Sequence, residues 1–179
     1  MLGTQKKGLE IVLFFYKKIL ATERTTIWTA VSVNFTHWNF LLMLKSERQK
    51  AIHKFDTVFS EYIRYRDCDK NGNVHCPLCW AVVPLKKAQN MHFIPRWVLK
   101  YRWDEKNCYA WCYRCNVALN GNYIIYTRFM QRKYGVEKVD EMINDKAPYK
   151  IPTWEIEDKT RLYQIKLKML KQEKFGDIE

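Results

Sequence analysis

The stretch "NCYAWCYRCN", residues 107–116, sets a short apolar run directly before two cysteines two residues apart, with an asparagine after the second one. The C-x-x-C spacing is typical of metal-binding turns, because one tight turn lets two thiolates converge on a single ion. A second pair, Cys76 and Cys79, lies in "HCPLCW". Together with Cys112 and Cys115, this pair predicts one tetrahedral four-thiolate site, which favours a structural Zn²⁺ ion.

The other two cysteines and the lack of a secretory signature bear on whether the cysteines bind a metal or form disulfides. Cys68 and Cys108 lie outside the pairs and are predicted to be small buried residues. No early apolar run is followed by a small-residue cleavage site, so the pairs favour a metal in a reducing compartment over a disulfide framework.

The net charge of the chain is +12, which indicates a polyanionic partner, by default nucleic acid. A basic protein without such a partner is the alternative.

Residues 1–42 differ from the rest of the chain in composition. Charged residues interrupt their apolar runs, so there is no apolar span of about 20 residues that could cross a bilayer. A membrane-surface anchor and an additional element of the domain are two interpretations. A third, which we favour, is that translation begins at Met43 and that residues 1–42 are not part of the working protein.

Two long amphipathic helices are predicted, one on each side of the cysteine pairs. The first starts at a capping box formed by Ser46 and Gln49. Its apolar stripe comprises Ile52, Phe55, Phe59, Tyr62 and Ile63. The second is a basic helix over residues 154–174. The residues predicted to face inward on it are Leu162, Ile165 and Met169.

Three polar residues lie before and after the second cysteine pair, separated by 15 and 9 positions. His92 lies on a strand-like run, Asn107 opens a second run, and Asn116 begins a predicted helix. Taken singly, each has an ordinary structural interpretation: a buried, hydrogen-bonded histidine, a loop end and a helix cap. Taken together, they follow a strand–strand–helix order.

This layout resembles the HNH endonuclease superfamily, whose centre is a ββα-metal unit, in a His-Asn-Asn form with zinc knuckles. Further, "EYIRYRD", "CPLC", "HFIPR", "KNCYAWCYRCNVALNGNYIIY" and "KYG" are similar to the NinG/Rap family of phage recombination proteins. The resemblance runs from about residue 61 to residue 139, roughly half of the chain. It implies an α+β fold with a small zinc-stapled ββα-metal (HNH) core flanked by helices.

The resemblance also implies roles for these residues. His92 would be the general base, Asn107 would orient His92 through its backbone or ring, and Asn116 would cap its helix and bind a catalytic Mg²⁺ or Mn²⁺ ion. Arg96 would grip the scissile phosphate. Many members of the superfamily place an aspartate ligand directly before the histidine, where this chain has Met91. We favour a replacement by Asn90, Asn120 or a water, without assigning which. The alternatives are weak metal binding and a domain that binds DNA without cutting it.

Basic and aromatic residues around the motif are candidates for DNA contacts. The principal predicted phosphate contacts are Arg96, Lys86, Lys87, Arg114 and Arg128, and further candidates are Lys100, Arg102, Arg132 and Lys133. Phosphate contacts make binding strongly salt-dependent. Three aromatic residues either stack on unpaired bases or belong to the core: Trp97, Tyr101 and Trp103.

The predicted function is that of a metal-dependent DNA endonuclease in phage recombination or DNA processing, which nicks duplex DNA or cleaves branched DNA. A non-catalytic zinc-containing DNA-binding module is the alternative, and a membrane-associated protein that uses residues 1–42 is a third class. No membrane partner is expected, and the setting would be the host-cell cytoplasm. Since one centre cuts one strand at a time, cutting both strands would need a homodimer or two successive events.

Four parts of the chain are predicted on this basis. Residues 1–42 are the N-terminal extension, and residues 43–67 form the first amphipathic helix. Residues 68–146 form the zinc-containing HNH nuclease domain. Residues 147–179 comprise a linker and the basic C-terminal helix.

Overall fold

The computed structural model describes residues 46–176, so the predictions for residues 1–42 lie outside the described residues. Helix α1, Glu47–Asp67, begins at the predicted capping box. The Ser46 hydroxyl accepts a hydrogen bond from the Gln49 backbone N–H at 3.1 Å, and the Gln49 side chain accepts one from the Ser46 N–H at 2.9 Å. These two bonds satisfy helix-terminal donors that have no partner within the helix.

A two-stranded antiparallel hairpin carries the first cysteine pair. Strands β1, Asn73–His75, and β2, Val82–Pro84, pair with each other. The turn between them contains Cys76 and Cys79, and it is closed where the Cys76 N–H donates to the Ala81 carbonyl at 2.9 Å. The short hairpin therefore presents both thiols on one tight loop.

A second antiparallel pair follows a short 3₁₀ turn. Strand β3, Gln89–His92, pairs with β4, Cys108–Trp111, so that His92 lies opposite Cys108. Among the described residues, β3 has no other strand partner.

The segment after β4 differs from the predicted helix start. Arg114–Ala118 forms a π-helical turn that contains Asn116, and a 3₁₀ turn with left-handed backbone at Gly121 (φ +81°) follows it. Regular α-helix begins only at α2, Tyr123–Tyr134. The prediction that Asn116 begins and caps this helix is therefore wrong, because a left-handed residue cannot continue an α-helix and Gly121 separates the two segments.

Two further helices complete the described chain. Helix α2 ends at Tyr134, with Gly135 as its C-cap, and α3 covers Val136–Asn144. Helix α4, Thr153–Phe175, packs against α1 around the rings of Phe59 and Tyr163, whose centroids are 5.1 Å apart.

The predicted inward face of α4 is wrong. Its buried residues are Ile156, Thr160, Tyr163 and Leu167. The residues predicted to face inward are 50–64% exposed, namely Leu162, Ile165 and Met169. Apolar residues recur at helical spacing on two faces of this helix, so periodicity alone does not choose between them.

The α+β class is confirmed, with helices and two small antiparallel sheets among residues 46–176. One hydrophobic core surrounds the second cysteine pair and includes Trp111, Tyr126 and Met130. A separate core lies between α1 and α4. No helix in the described part of the chain is long and apolar enough to cross a membrane.

Candidate functional site

The four paired cysteines meet in one place, which we call the cysteine cluster: Cys76, Cys79, Cys112 and Cys115. All four sulfur atoms lie within 4.8 Å of one another. The Sγ atoms of Cys79 and Cys112 are 3.6 Å apart. Sulfurs at about 2.3 Å from a tetrahedral ion are separated by about 3.8 Å. The cluster can therefore hold one metal ion with small side-chain adjustments.

Local backbone geometry positions these thiols. The first pair lies in the β1–β2 turn, and the second pair spans the end of β4 and the π-helical turn, where the Cys115 N–H donates to Cys112 Sγ at 3.4 Å. Burial acts to raise the pKa of the Cys79 thiol, but hydrogen bonds from the Ala81 backbone and the neighbouring thiols outweigh it and lower the pKa to about 7. An N–H or S–H that donates to a sulfur favours its thiolate form.

The remaining cysteines are buried, as predicted. Cys68 and Cys108 lie outside the cysteine cluster. Burial raises the pKa of both thiols, which keeps them protonated and unreactive at neutral pH.

A second feature is an open cleft of about 520 Å³ along β3, which we call the cleft. It brings together residues from α1, β3, the loop after β3 and the π-helical turn. The polar residues that line it are Ser60, Arg64, Gln89, Asn90, His92, Arg96 and Asn116. Two of the three predicted catalytic residues, His92 and Asn116, therefore share one cavity.

His92 is held in a defined orientation. Its Nε2 lies 2.9 Å from the Arg102 carbonyl oxygen, which can only accept a hydrogen bond. Nε2 therefore carries the proton, and Nδ1 keeps its lone pair. Burial lowers the pKa of His92 to about 4, and the positive charge of Arg96 acts in the same direction. The ring is neutral at pH 7, so Nδ1 can accept a proton.

The carbonyl that orients His92 belongs to a well-anchored residue. The Arg102 guanidinium donates to both carboxylate oxygens of Asp56, at 2.9 and 2.5 Å, and the Trp103 indole N–H donates to the same carboxylate at 2.9 Å. Arg102, an expected phosphate contact, is thus engaged in an ion pair. Trp103 packs in the core between α1 and α4.

Asn107 is fully buried and holds the loop between β3 and β4. Its side-chain oxygen accepts from the Ile94 N–H at 2.6 Å, and its amide donates to the Ile94 and Tyr101 carbonyls, both at 2.9 Å. The side chain therefore contacts the backbone on both sides of the loop that follows His92. In this structure its bonds are to the loop backbone rather than to the histidine ring.

Asn116 points towards β3 rather than capping a helix. Its side-chain N–H donates to Gln89 Oε1 at 2.6 Å. Met91, which stands where the superfamily places an aspartate, is 8% exposed and packs in the core around the cysteine cluster. Asn120 does not line the cleft.

Three cleft residues were not found by sequence reasoning: Ser60, Arg64 and Gln89. Ser60 and Arg64 come from α1, almost 30 residues before β3, and Arg64 Nε donates to the Ser60 carbonyl at 3.2 Å. A polar pair at i and i+4, off the apolar stripe of α1, is the only sequence signal for them. Gln89 lies three residues before His92 and has no motif of its own.

Of the predicted DNA contacts, only Arg96 lines the cleft. The other principal contacts are exposed: Lys86 and Lys87 on the short 3₁₀ turn before β3, Arg114 on the π-helical turn and Arg128 on α2. Lys100 forms an ion pair with Asp145 at 2.5 Å. The structure distinguishes the two alternatives for the aromatic residues, base stacking and core packing. Trp97 is 82% exposed, whereas Tyr101 is 6% exposed. Trp97 is the one available for base stacking.

Comparison with known proteins yields one finding. The family model NinG, described as bacteriophage lambda NinG protein, matches residues 41–173, which include both the cysteine cluster and the cleft. No curated protein and no solved structure matches the chain.

Proposed function

Because this chain belongs to the bacteriophage lambda NinG family, we propose that it is a metal-dependent DNA endonuclease in phage recombination or DNA processing, which nicks duplex DNA or cleaves branched DNA. The observation that carries the proposal is the state of His92. A neutral imidazole, whose Nε2–H is bonded to the Arg102 carbonyl, lines a cleft that also holds two arginines and Asn116. Phosphodiester hydrolysis requires a base and cationic groups in such an arrangement.

The architecture supports an HNH-type centre. Strands β3 and β4 are antiparallel and are followed by turns and helix α2, in the strand–strand–helix order of a ββα-metal unit. The cysteine cluster binds Zn²⁺ in this proposal, since four thiolates form a closed site of the kind zinc occupies for structural purposes. The zinc joins the β1–β2 turn to the end of β4.

The residues of the cleft divide the chemistry among them. His92 Nδ1 takes a proton from the attacking water, while its Nε2–H stays bonded to the Arg102 carbonyl. Arg64 and Arg96 bind the oxygens of the scissile phosphate and offset the charge that develops there. The Asn116 side-chain oxygen would hold Mg²⁺ or Mn²⁺. When bound, the ion would polarise a phosphoryl oxygen and stabilise the leaving oxygen.

A non-catalytic zinc-containing DNA-binding module is the second candidate, and one observation favours it. No aspartate or glutamate is among the residues that line the cleft in the described part of the chain. Hard divalent ions are usually bound by at least one carboxylate. A cleft lined by arginines and amides, without a carboxylate, is suited to bind a DNA phosphate without cutting the DNA strand.

A cleavage assay with the full chain separates the two candidates. Supercoiled plasmid and a synthetic four-way junction are incubated with Mg²⁺ or Mn²⁺ and wild type, His92→Ala or His53→Ala. His53 lies on the exposed side of α1 and serves as the matched control. We expect His92→Ala to cut about 10²–10⁴ times more slowly at unchanged DNA affinity, since a positioned base contributes that factor.

The contrary result is equally informative. Wild type that binds both DNAs but cuts neither with either ion would establish the binding module. Cleavage that His92→Ala retains in full would exclude His92 as the base.

A further inference from the structure

We infer that Asp56 is a positioning residue for the cleft, which acts through Arg102 and fixes the His92 ring and the Arg96 backbone at the same time. Asp56 itself does not line the cleft. Its effect on cleavage rests on the proposed function. Its effect on the orientation of His92 does not, because the contacts are the same whether the cleft cuts DNA or only binds it.

Arg102 makes three separate connections. Its backbone carbonyl oxygen lies 2.9 Å from His92 Nε2. Its Nη1 donates to the Arg96 carbonyl at 3.0 Å. Its Nε and Nη2 donate to the two carboxylate oxygens of Asp56, at 2.9 and 2.5 Å. A single residue therefore joins helix α1 to the proposed base and to one of the two arginines of the cleft.

The ion pair with Asp56 makes this arrangement rigid. A guanidinium that meets a carboxylate with two parallel hydrogen bonds is held in one plane. The Arg102 and Asp56 side chains are only 20% and 23% exposed, so water competes weakly for these bonds. The same carboxylate accepts the Trp103 indole N–H at 2.9 Å, and the Trp103 ring packs on Phe55. Asp56 thus holds two successive residues of the β3–β4 loop against α1.

Asp56 lies on the side of α1 that faces the cleft. Asp56, Ser60 and Arg64 follow one another at intervals of four residues, which places them along one side of the helix. Ser60 and Arg64 line the cleft directly. Asp56 is the next residue in this row and reaches the cleft through the guanidinium of Arg102.

The His92 ring depends on this support. Within residues 46–176, its only hydrogen-bond partner is the Arg102 carbonyl. Asn107 holds the Tyr101 carbonyl, which is one peptide away. The Arg102 peptide is therefore held on the α1 side by the side chains of Arg102 and Trp103, both of which are bound to Asp56.

Nuclear magnetic resonance of the zinc-loaded full chain tests the inference through the ring N–H of His92. A hydrogen-bonded ring N–H exchanges slowly with water and gives a resolved signal, and the loss of that signal in His92→Gln identifies it. We expect this proton to exchange at least about tenfold faster in Asp56→Ala, because the loop opens more often without the ion pair. Asp56→Asn should lie between the two, since its amide keeps one acceptor oxygen.

Asp145→Ala is the matched control. Asp145 binds the same loop through the Lys100 ammonium at 2.5 Å and the Tyr101 hydroxyl at 2.7 Å, but it does not contact Arg102. This variant should leave the exchange of the His92 proton unchanged, even where its melting temperature falls as far as that of Asp56→Ala.

Arg102→Ala separates the guanidinium from the carbonyl. This variant keeps the backbone carbonyl that binds His92 and removes only the side chain. We expect it to match Asp56→Ala, and the double variant should be no worse than either single variant, because each removes the same ion pair. Additive effects would show that Asp56 does not act through Arg102.

Two results would overturn the inference: unchanged exchange in Asp56→Ala, or an equal acceleration in Asp145→Ala, which would mean a general loosening of the loop. Cleavage by the same preparations keeps this result apart from the proposed function. Asp56→Ala should lower kcat roughly tenfold to a hundredfold with little change in KM for DNA, because the base is misplaced. If the exchange behaves as expected but wild type cuts no DNA, the positioning role stands and the nuclease fails. If wild type cuts DNA and the exchange is unchanged in Asp56→Ala, the nuclease stands and the positioning role fails.

Discussion

The cysteine cluster and the cleft both adjoin the β3–β4 pair of strands, but they differ in how many segments supply their side chains and in how open they are to solvent. The cluster takes its four thiols from two tight turns, and three of its cysteines are buried. The cleft combines side chains from α1, β3 and two loops, and it is open to solvent. Local backbone geometry places the two thiols of each pair, so packing has to bring together only two turns, whereas the cleft takes single side chains from several distant segments. If the cleft admits a DNA strand, as we propose, it has to stay open, and its residues need support from elsewhere in the fold.

That support runs through β4. Asn107 directly precedes this strand and holds the loop that follows His92, while Cys112 directly follows it and belongs to the cysteine cluster. The cluster thus fixes one end of the strand and Asn107 fixes the other. We expect a substitution of either Asn107 or Cys112 to perturb the cleft, although neither residue lines it.

The largest effect is expected from breaking the cluster. Cys112→Ser removes one thiolate from the proposed zinc site, and we expect a loss of about 5 kcal/mol or more in the free energy of unfolding, because structural zinc binding is itself folding energy. Zinc content and thermal unfolding measure it. Cys68→Ser, at a buried cysteine outside the cluster, should stay close to wild type. Full zinc content and an unchanged melting temperature in Cys112→Ser would contradict the zinc assignment.

A smaller effect is expected at the other end of β4. Asn107→Ala leaves the Ile94 N–H and the carbonyls of Ile94 and Tyr101 without their partner, which should cost about 3 kcal/mol in unfolding free energy. Urea unfolding measures this loss. Cleavage by the folded fraction should fall more than DNA binding, since the loop sets the position of the Arg102 carbonyl. Asn144→Ala, on an exposed helix end, is the control, and equal stability of the two variants would refute the role of Asn107.

The smallest effect is a pH dependence that belongs to the cleft. Since the pKa of His92 is lowered from 6.5 to about 4, the unfolded chain binds this proton more readily than the folded one. The stabilisation from a neutral His92 is complete above pH 6.5 and is lost as the pH falls towards 4. Between pH 7 and pH 5 we expect wild type to lose about 1–2 kcal/mol more than His92→Gln does. Urea unfolding of both at the two pH values tests this, and parallel losses would show that the pKa of His92 is not lowered.

Local signals in the sequence predicted several features well. The capping box at Ser46 and the two cysteine turns depend on residues within a few positions of one another. The face of α4 was predicted wrongly because the helix has apolar residues on two sides. Contact with Phe55 and Phe59 of α1 selects the side that contains Tyr163.

In the candidate site, too, some residues could be found from local sequence and others only from the packing of distant segments. Its histidine and asparagines could be selected from their spacing, because β3, β4 and the following turn are consecutive in the chain. Ser60 and Arg64 could not, since only the packing of α1 beside β3 brings them to the cleft. The contact between Gln89 and Asn116 spans 27 positions and depends on the π-helical turn, which the asparagine and cysteine spacing does not predict.

By itself, the sequence determined the paired thiols, the basic charge and the order of strand-like and helical segments, which follow from composition and short-range spacing because backbone geometry limits the outcomes to a few. The α+β class was implied by the family resemblance. Only the tertiary structure decided which face of α4 is buried, that Arg102 is paired with Asp56, and that two amides meet beside a neutral histidine. Those outcomes depend on packing between distant segments, where small differences in burial and hydrogen bonding select one arrangement among several that the same pattern allows.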